Sequence, residues 1–165
     1  RLVPMLAELL GGRRADEILV GAGPGSFTGI RVGIAAAHGL AIAWNCELKG
    51  MSSLALLAAA ADADGDVAAA VDGGHGELFV QQFGRTLEAK SELLNLPPSE
   101  AAESIDAETV VGPGASALIE ARRSGSALDG WPSARHALRL PETLRSLPPK
   151  PVYARAPDAR ARNAA

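Results

Sequence analysis

The densest run of residues that could do chemistry is Gly21-Ala22-Gly23-Pro24-Gly25-Ser26-Phe27-Thr28-Gly29, set between a strand-like and a helix-like segment. A glycine turn in that position can cradle a phosphate, because free N–H groups and the positive end of a helix dipole converge on an anion. The letters match neither nucleotide motif. A P-loop needs Gly, four residues and then Gly-Lys-Ser/Thr, whereas the first lysine of this chain is Lys49. The dinucleotide fingerprint puts a third glycine where Ser26 stands, and its acidic partner would have to be Glu47, beyond too long a helix. Spacing favours a tight strand-to-helix turn capped by Ser26, with generic nucleotide binding as the competing reading.

Other reactive side chains are scattered. His38, His75 and His136 are too far apart for a metal-binding pair, and no Cys/His cluster exists, so no metal ligands are assigned. Ser26 lacks the Gly-x-Ser-x-Gly elbow of a nucleophile, and Cys46 has no base beside it and reads as an inert core thiol. Asp62, Asp64 and Asp66 alternate like the start of a calcium loop, but Gly65 precedes the third acid and no Glu follows at the required place. They read as a solvated acidic turn, and no catalytic residue is assigned.

The elements that would position the glycine turn follow from periodicity. Leu2, Val3, Leu6 and Leu10 repeat on one helical face and Gly11-Gly12 stops it; 17–21 is a short buried strand. From Phe27 to Trp44 the pattern is helical, with Phe27, Ile30, Ile34, Ala37, Ala41 and Trp44 on one stripe and Gly29, Gly33, Ala36 and Ala43 on another. A helix apolar nearly all round must be covered on both sides, by its own core or by a partner. Its glycines cost about 1 kcal/mol each in propensity, which close helix–helix approach would offset. Downstream, the spacing predicts a helix within 51–61 capped by Ser52 or Ser53, a hairpin of 67–72 and 77–83 around Gly73-Gly74-His75-Gly76, and a helix over 100–104. A strand over 109–112, a helix over 115–123 and a weak helix over 141–147 follow.

At 165 residues the chain falls in the size range of one ordinary globular domain. The hydrophobic share is 47%, but 33 of those residues are alanine and aromatics are only 4%, so large core-filling side chains are scarce. Cys46 is the single cysteine, which excludes an internal disulfide and fits a reducing compartment, by default the cytoplasm. The most apolar stretch, 34–44, has 11 residues where a membrane span needs about 20, so no crossing is expected. The sequence opens on Arg1 rather than Met, without a leader-like segment, which points to a start that is missing, processed or misassigned. Residues 1–134 hold 9 Lys+Arg against 17 Asp+Glu, whereas 135–165 hold 7 against 2, giving an acidic body and a basic tail. Such a body is a poor autonomous binder of nucleic acid.

The segment Gly23-Pro24-Gly25-Ser26-Phe27-Thr28-Gly29-Ile30-Arg31-Val32-Gly33 resembles the signature of the bacterial TsaB family, the scaffold subunit of the tRNA threonylcarbamoyladenosine machinery. Further anchors fall in family order: 36–41, Asp72-x-x-x-Gly76-Glu77-Leu78-Phe79, and Pro151-Val152-Tyr153-x-Arg155. The resemblance covers roughly 1–158. It implies an α/β, actin-like (ASKHA, ribonuclease H-like) fold of two lobes that has lost the phosphate-binding residues of its catalytic relatives. On that frame, 1–50 is the remainder of the first lobe, 51–150 the second, and 151–165 a segment returning to the first and ending in the basic tail.

The same resemblance implies a non-catalytic role. Such proteins pair with the catalytic paralogue TsaD, which transfers threonylcarbamoyl to an adenosine beside the tRNA anticodon, and TsaE joins the complex. TsaD-like enzymes hold metal through a His-x-Glu-Gly-His-like element, which this chain lacks, and an older peptidase M22 or glycoprotease label follows the superfamily without proteolytic residues here. The pairing surface of the family involves its first two helices, which map to residues 1–10 and about 27–44, with Phe27, Gly29, Ile30, Arg31, Gly33, Ile34 and Ala37 as the partner-binding residues and Gly23, Pro24, Gly25, Ser26 and Thr28 forming the glycine loop. Arg31 would orient that loop or meet a partner carboxylate. No resident cofactor is expected, ATP or ADP entering only at the TsaD interface; a homodimer is the alternative when the chain is alone, and tRNA is met through the complex. Two departures stand out. The three strands that normally open the first lobe have no counterpart here, so that lobe is expected to be truncated and edge-exposed. Gly73-Gly74-His75 also replaces an Ala-Arg-containing turn, which puts a ligand role for that turn in doubt.

Overall fold

The computed structural model describes residues 2–153. Helix α1 (Leu2–Leu10) leads into strand β1 (Glu17–Gly23), helix α2 (Phe27–Trp44) and strand β2 (Glu47–Ser52). β1 and β2 pair in parallel, so β1–α2–β2 is a crossover unit. Ser26 caps α2 as its spacing predicts, Oγ accepting from Gly29 N at 3.3 Å, and Asn45 closes the helix in the left-handed conformation with φ 53°. Glu17 and Glu47 stand opposite each other in the register, and Lys49 Nζ bridges them at 2.7 and 3.2 Å. Both contacts raise the lysine pKa, Glu17 contributing most.

Helix α3 (Ser53–Ala61) is capped by Ser52, whose buried Oγ accepts from Ala55 N at 3.2 Å. The second sheet contains β3 (Val67–Gly74), β4 (Glu77–Phe83), β5 (Leu94–Leu96), β6 (Thr109–Val111) and β7 (Ser126–Leu128), in the order β5-β4-β3-β6-β7. β3 and β4 form the expected antiparallel hairpin, and β3, β6 and β7 run parallel. Alternation along β3 splits the core in two. Val67, Ala69 and Val71 pack with α3, while Ala68 and Ala70 pack with α4 (Pro98–Ser104) and α5 (Ala115–Arg122). The result is a helix–sheet–helix sandwich whose alanines let the layers approach closely. A Cβ on Gly112, at φ +117°, would lie 2.4 Å from Ala70 O, so only glycine fits the β6–α5 turn.

A 3₁₀ helix (Ala134–Arg139) and α6 (Glu142–Arg145) then return the chain toward β2. α6 is shorter than its expected 141–147, and β2, β5, β7 and the 3₁₀ helix have no counterpart in the periodicity reading. β2 escaped because Glu47, Lys49 and Gly50 interrupt its apolar residues, and its glycine answers a distant neighbour: a Cβ at Gly50 would stand 2.7 Å from Pro148 O. α2 has 18 residues and is by length and composition apolar enough to span a membrane, contrary to the shorter stretch read from sequence. Ile34, Ala37 and Ala41 are nevertheless buried within the chain, with α2 lying on β1 and β2.

Candidate functional site

The glycine loop is built for packing. Gly23 takes φ +106°, and a Cβ there would stand 2.9 Å from Ile30 Cδ1 and 3.5 Å from Val152 O. Ile30 and the backbone of the C-terminal segment therefore occupy the space beside the loop. Two N–H groups of the first helical turn already have acceptors, since Gly29 N donates to Ser26 Oγ and Ile30 N to Ser26 O. Pro24 is buried behind a cis Gly23–Pro24 peptide.

α2 divides into strips around this loop. Only Ile34, Ala37 and Ala41 are buried. Gly33 has open space where a Cβ would stand, as has Gly39, while Phe27, Val32 and Ile42 are exposed. Alongside lies α1, with no buried residue at all and with Val3 and Leu9 exposed by 72% and 70%. Between the two helices runs an apolar groove of about 500 Å³, floored by Leu6, Leu10, Ala36, Leu40 and Trp44, with Arg13 and Arg14 at one end. Among the described residues nothing covers this apolar face.

Arg31, the one charged residue of α2, lies with its guanidinium carbon 3.8 Å from the centre of the Phe27 ring. Its Nε and Nη2 donate to Tyr153 Oη at 3.0 and 2.8 Å. Tyr153 arrives on a strap secured by Leu147 pairing with Gly50, by Val152 N donating to Ala22 O at 2.8 Å, and by His38 Nε2 at 3.2 Å from Pro149 O.

A family model described as "TsaD: tRNA N6-adenosine threonylcarbamoyltransferase" matches residues 5–126. The chain belongs to that family. Its relatives by sequence carry the TsaB name: it is 37% identical over 94 residues to the "tRNA threonylcarbamoyladenosine biosynthesis protein TsaB" of Haemophilus influenzae, covering 52% of this chain and 39% of that protein. It is 36% identical over 93 residues to the Escherichia coli K12 protein of the same name, covering 52% and 40%. The chain thus spans about two-fifths of the length of these curated relatives. Two solved structures from Pseudomonas aeruginosa, one titled YeaZ and the other an uncharacterized protein with similarity to peptidase YeaZ, each superpose with TM-score 0.77 at 30% identity. They cover 94% and 93% of this chain, which spans 83% of each. These likenesses bear out the TsaB-family resemblance and the ASKHA-like α/β fold.

In this TsaB-family chain the residues read as one pairing surface separate. Ile34 and Ala37 are buried against the chain's own sheet, and Ile30 is half-buried beside the glycine loop. Gly29 is small for the cap, since a Cβ there would meet Ser26 Oγ at 3.3 Å. Phe27, Thr28 and Arg31 are exposed, while Gly33 is half-buried on another side of the helix, with open space where a Cβ would stand. Tyr153 joins this site from the C-terminal motif; its contact with Arg31 spans 122 positions, beyond any local signal. Arg155 of the same motif and the end of the basic tail lie outside the described residues.

Elsewhere the structure corrects two readings. Asp62 and Asp64 are exposed and Asp66 half-buried, and they are not merely solvated: Arg139, Arg85 and Lys90 stand 2.7, 4.0 and 3.1 Å away. Cys46 is only half-buried. The Gly73-Gly74-His75 turn has its own geometry, because a Cβ on Gly73 would lie 2.7 Å from Asn95 Oδ1 and Gly74, His75 and Gly76 all take positive φ. Among the described residues no three His, Cys, Asp or Glu side chains converge as a metal site.

Proposed function

We propose that this chain is a non-catalytic scaffold in tRNA threonylcarbamoyladenosine biosynthesis, pairing through the α1–α2 face with a TsaD-type catalytic paralogue. The observation that carries the reading is α2 itself, an 18-residue apolar helix of which the chain buries only Ile34, Ala37 and Ala41. The uncovered strip around Gly33 admits another helix at short distance, and α1 widens it into a surface whose burial would remove several large apolar side chains from water. The relatives' names supply the pathway and the family model supplies the kind of partner.

The scaffold works by shape. It presents α2, whose start is held by the capped glycine loop, with α1 alongside, and the catalytic subunit's own helices pack against them; TsaE joins that pair, and tRNA is met by the complex, since the body of this chain is acidic. A homodimer over the same face is the state of the chain alone. No cofactor resides in this subunit, ATP or ADP being confined to the partner interface, and the setting is the cytoplasm. Ile30 beside Gly23 argues against the rival reading of the loop as a nucleotide cradle in a small enzyme.

The test is co-purification with the TsaD-type protein of the same source, followed by threonylcarbamoyl transfer with and without this chain. Transfer that depends on the chain supports the reading. No complex and no stimulation, or saturable micromolar ATP binding by the isolated chain, overturns it.

A further inference from the structure

Resting on that pairing, we infer that Tyr153 completes the face: with Phe27 and Arg31 it forms an aromatic–guanidinium platform that receives a carboxylate carried on the partner's helix. Phe27 is 59% exposed and Tyr153 55%, so neither ring serves the core of this chain. Their rings stand 6.1 Å apart and tilted by 41°, and the Arg31 guanidinium is stacked on the first and hydrogen-bonded to the second. A flexible cation is thereby held in one orientation on the exposed first turns of α2, which lowers the entropy lost when a partner engages it.

The choice of a carboxylate follows from charge. Among the described residues no acid lies within ion-pair reach of Arg31, and its Nη1 makes no hydrogen bond. A helix laid across α2 desolvates this guanidinium, and a desolvated cation must meet an anion. The planar fork suits a carboxylate, and Arg with aromatic neighbours is the composition of interface hot spots. The platform also depends on the strap. Leu147, Pro149 and Val152 each bond to the first lobe, so the last described segment of the chain fixes the first turn of α2. Tyr153 is thus a positioning residue, acting through Arg31.

The experiment uses the full chain and its TsaD-type paralogue, titrated calorimetrically at low and at 0.5 M salt, with thermal unfolding of every variant. Tyr153→Ala and Arg31→Gln are expected to weaken pairing by roughly 10- to 100-fold, and Tyr153→Phe by about 3- to 10-fold through loss of the hydroxyl alone. Melting temperatures should stay within about 2 °C, because the side chains are exposed. Salt should weaken pairing of the wild type but not of Arg31→Gln, a readout that a purely structural tyrosine would not move. Tyr153 is the single tyrosine, so 3-fluorotyrosine gives one ¹⁹F resonance, which should shift in Arg31→Gln. If the wild type pairs and Tyr153→Ala pairs equally well, this inference fails alone; if the wild type does not pair, the scaffold reading fails first. Should Tyr153→Ala unfold, unchanged affinity in Tyr153→Phe is the overturning result. Salt-insensitive pairing removes the carboxylate, and losses confined to self-association would assign the platform to a second copy instead.

Discussion

Gly33→Leu separates the fold of this chain from its pairing. An ideal Cβ on Gly33 meets no atom within 4 Å, so in the isolated chain the new side chain projects into solvent. Replacing a mid-helix glycine by leucine should then stabilise α2 by about 0.5–1 kcal/mol from propensity alone. For a chain of this size that raises the melting temperature by roughly 1–4 °C. In the complex the same leucine enters a contact that only a glycine or alanine strip permits. Overpacking there costs on the order of 1–3 kcal/mol, which weakens the dissociation constant by roughly 5- to 150-fold. Thermal unfolding of the free chain and sedimentation velocity with the TsaD-type partner read the two effects separately. A melting temperature lower by several degrees would mean that Gly33 is packed inside the lobe, and an unchanged complex would mean that this strip is not the contact.

Three further substitutions probe the frame. Gly112→Ala should cost more than about 3 kcal/mol, because its Cβ would fall 2.4 Å from Ala70 O at φ +117°; near-native urea stability would refute the close approach. Gln82→Leu should cost about 2–3 kcal/mol in chemical denaturation, because Gln82 is buried, donates to Asp106 Oδ1 at 2.5 Å and accepts from Asp106 N and Ala107 N at 3.2 and 3.3 Å; a neutral effect would show that water replaces it. Lys49→Gln leaves Glu17 and Glu47 facing each other, so its urea midpoint should fall more at low than at high salt. Since the lysine pKa is raised on folding, its contribution is whole below the ordinary lysine range and is lost as pH climbs through the higher folded value, a trend that Lys49→Gln should abolish.

What sequence reasoning recovered is what local physics encodes. The full extent of α2, its Ser26 cap and the β3–β4 hairpin depend on periodicity and on residues within a few positions, and each is found where expected. β5 and β7 are three-residue strands that exist because neighbouring strands offer hydrogen-bond partners, which no short window contains. The site divides in the same way. The residues of α2 could be named from the sequence, but the burial of Ile34 and Ala37 against the chain's own sheet could not, because an apolar helix does not disclose which strip meets that sheet. Tyr153 was invisible as a site residue, since its partner lies 122 positions away.

The segment 23–33 shows how one short stretch serves two surfaces. Helical periodicity of 3.6 residues separates it into strips. Ile30 and Ile34 turn inward, one filling the space beside Gly23 and the other entering the lobe's core, and Ser26 with Gly29 spends its polar and spatial capacity on the helix start. Phe27 and Arg31, one turn apart, carry aromatic and cationic groups outward on one side of the helix, and Gly33, two positions on from Arg31, lies on another side with open space where a Cβ would stand. Nothing in the lobe needs that outward strip: no atom packs on Gly33, and Phe27 remains mostly in water. The inward strip explains why a phosphate-type loop takes an isoleucine beside its glycines. The open space at Gly33 is explained by a partner, because a mid-helix glycine whose missing Cβ makes room for no atom of the described chain costs stability that the isolated chain never recovers.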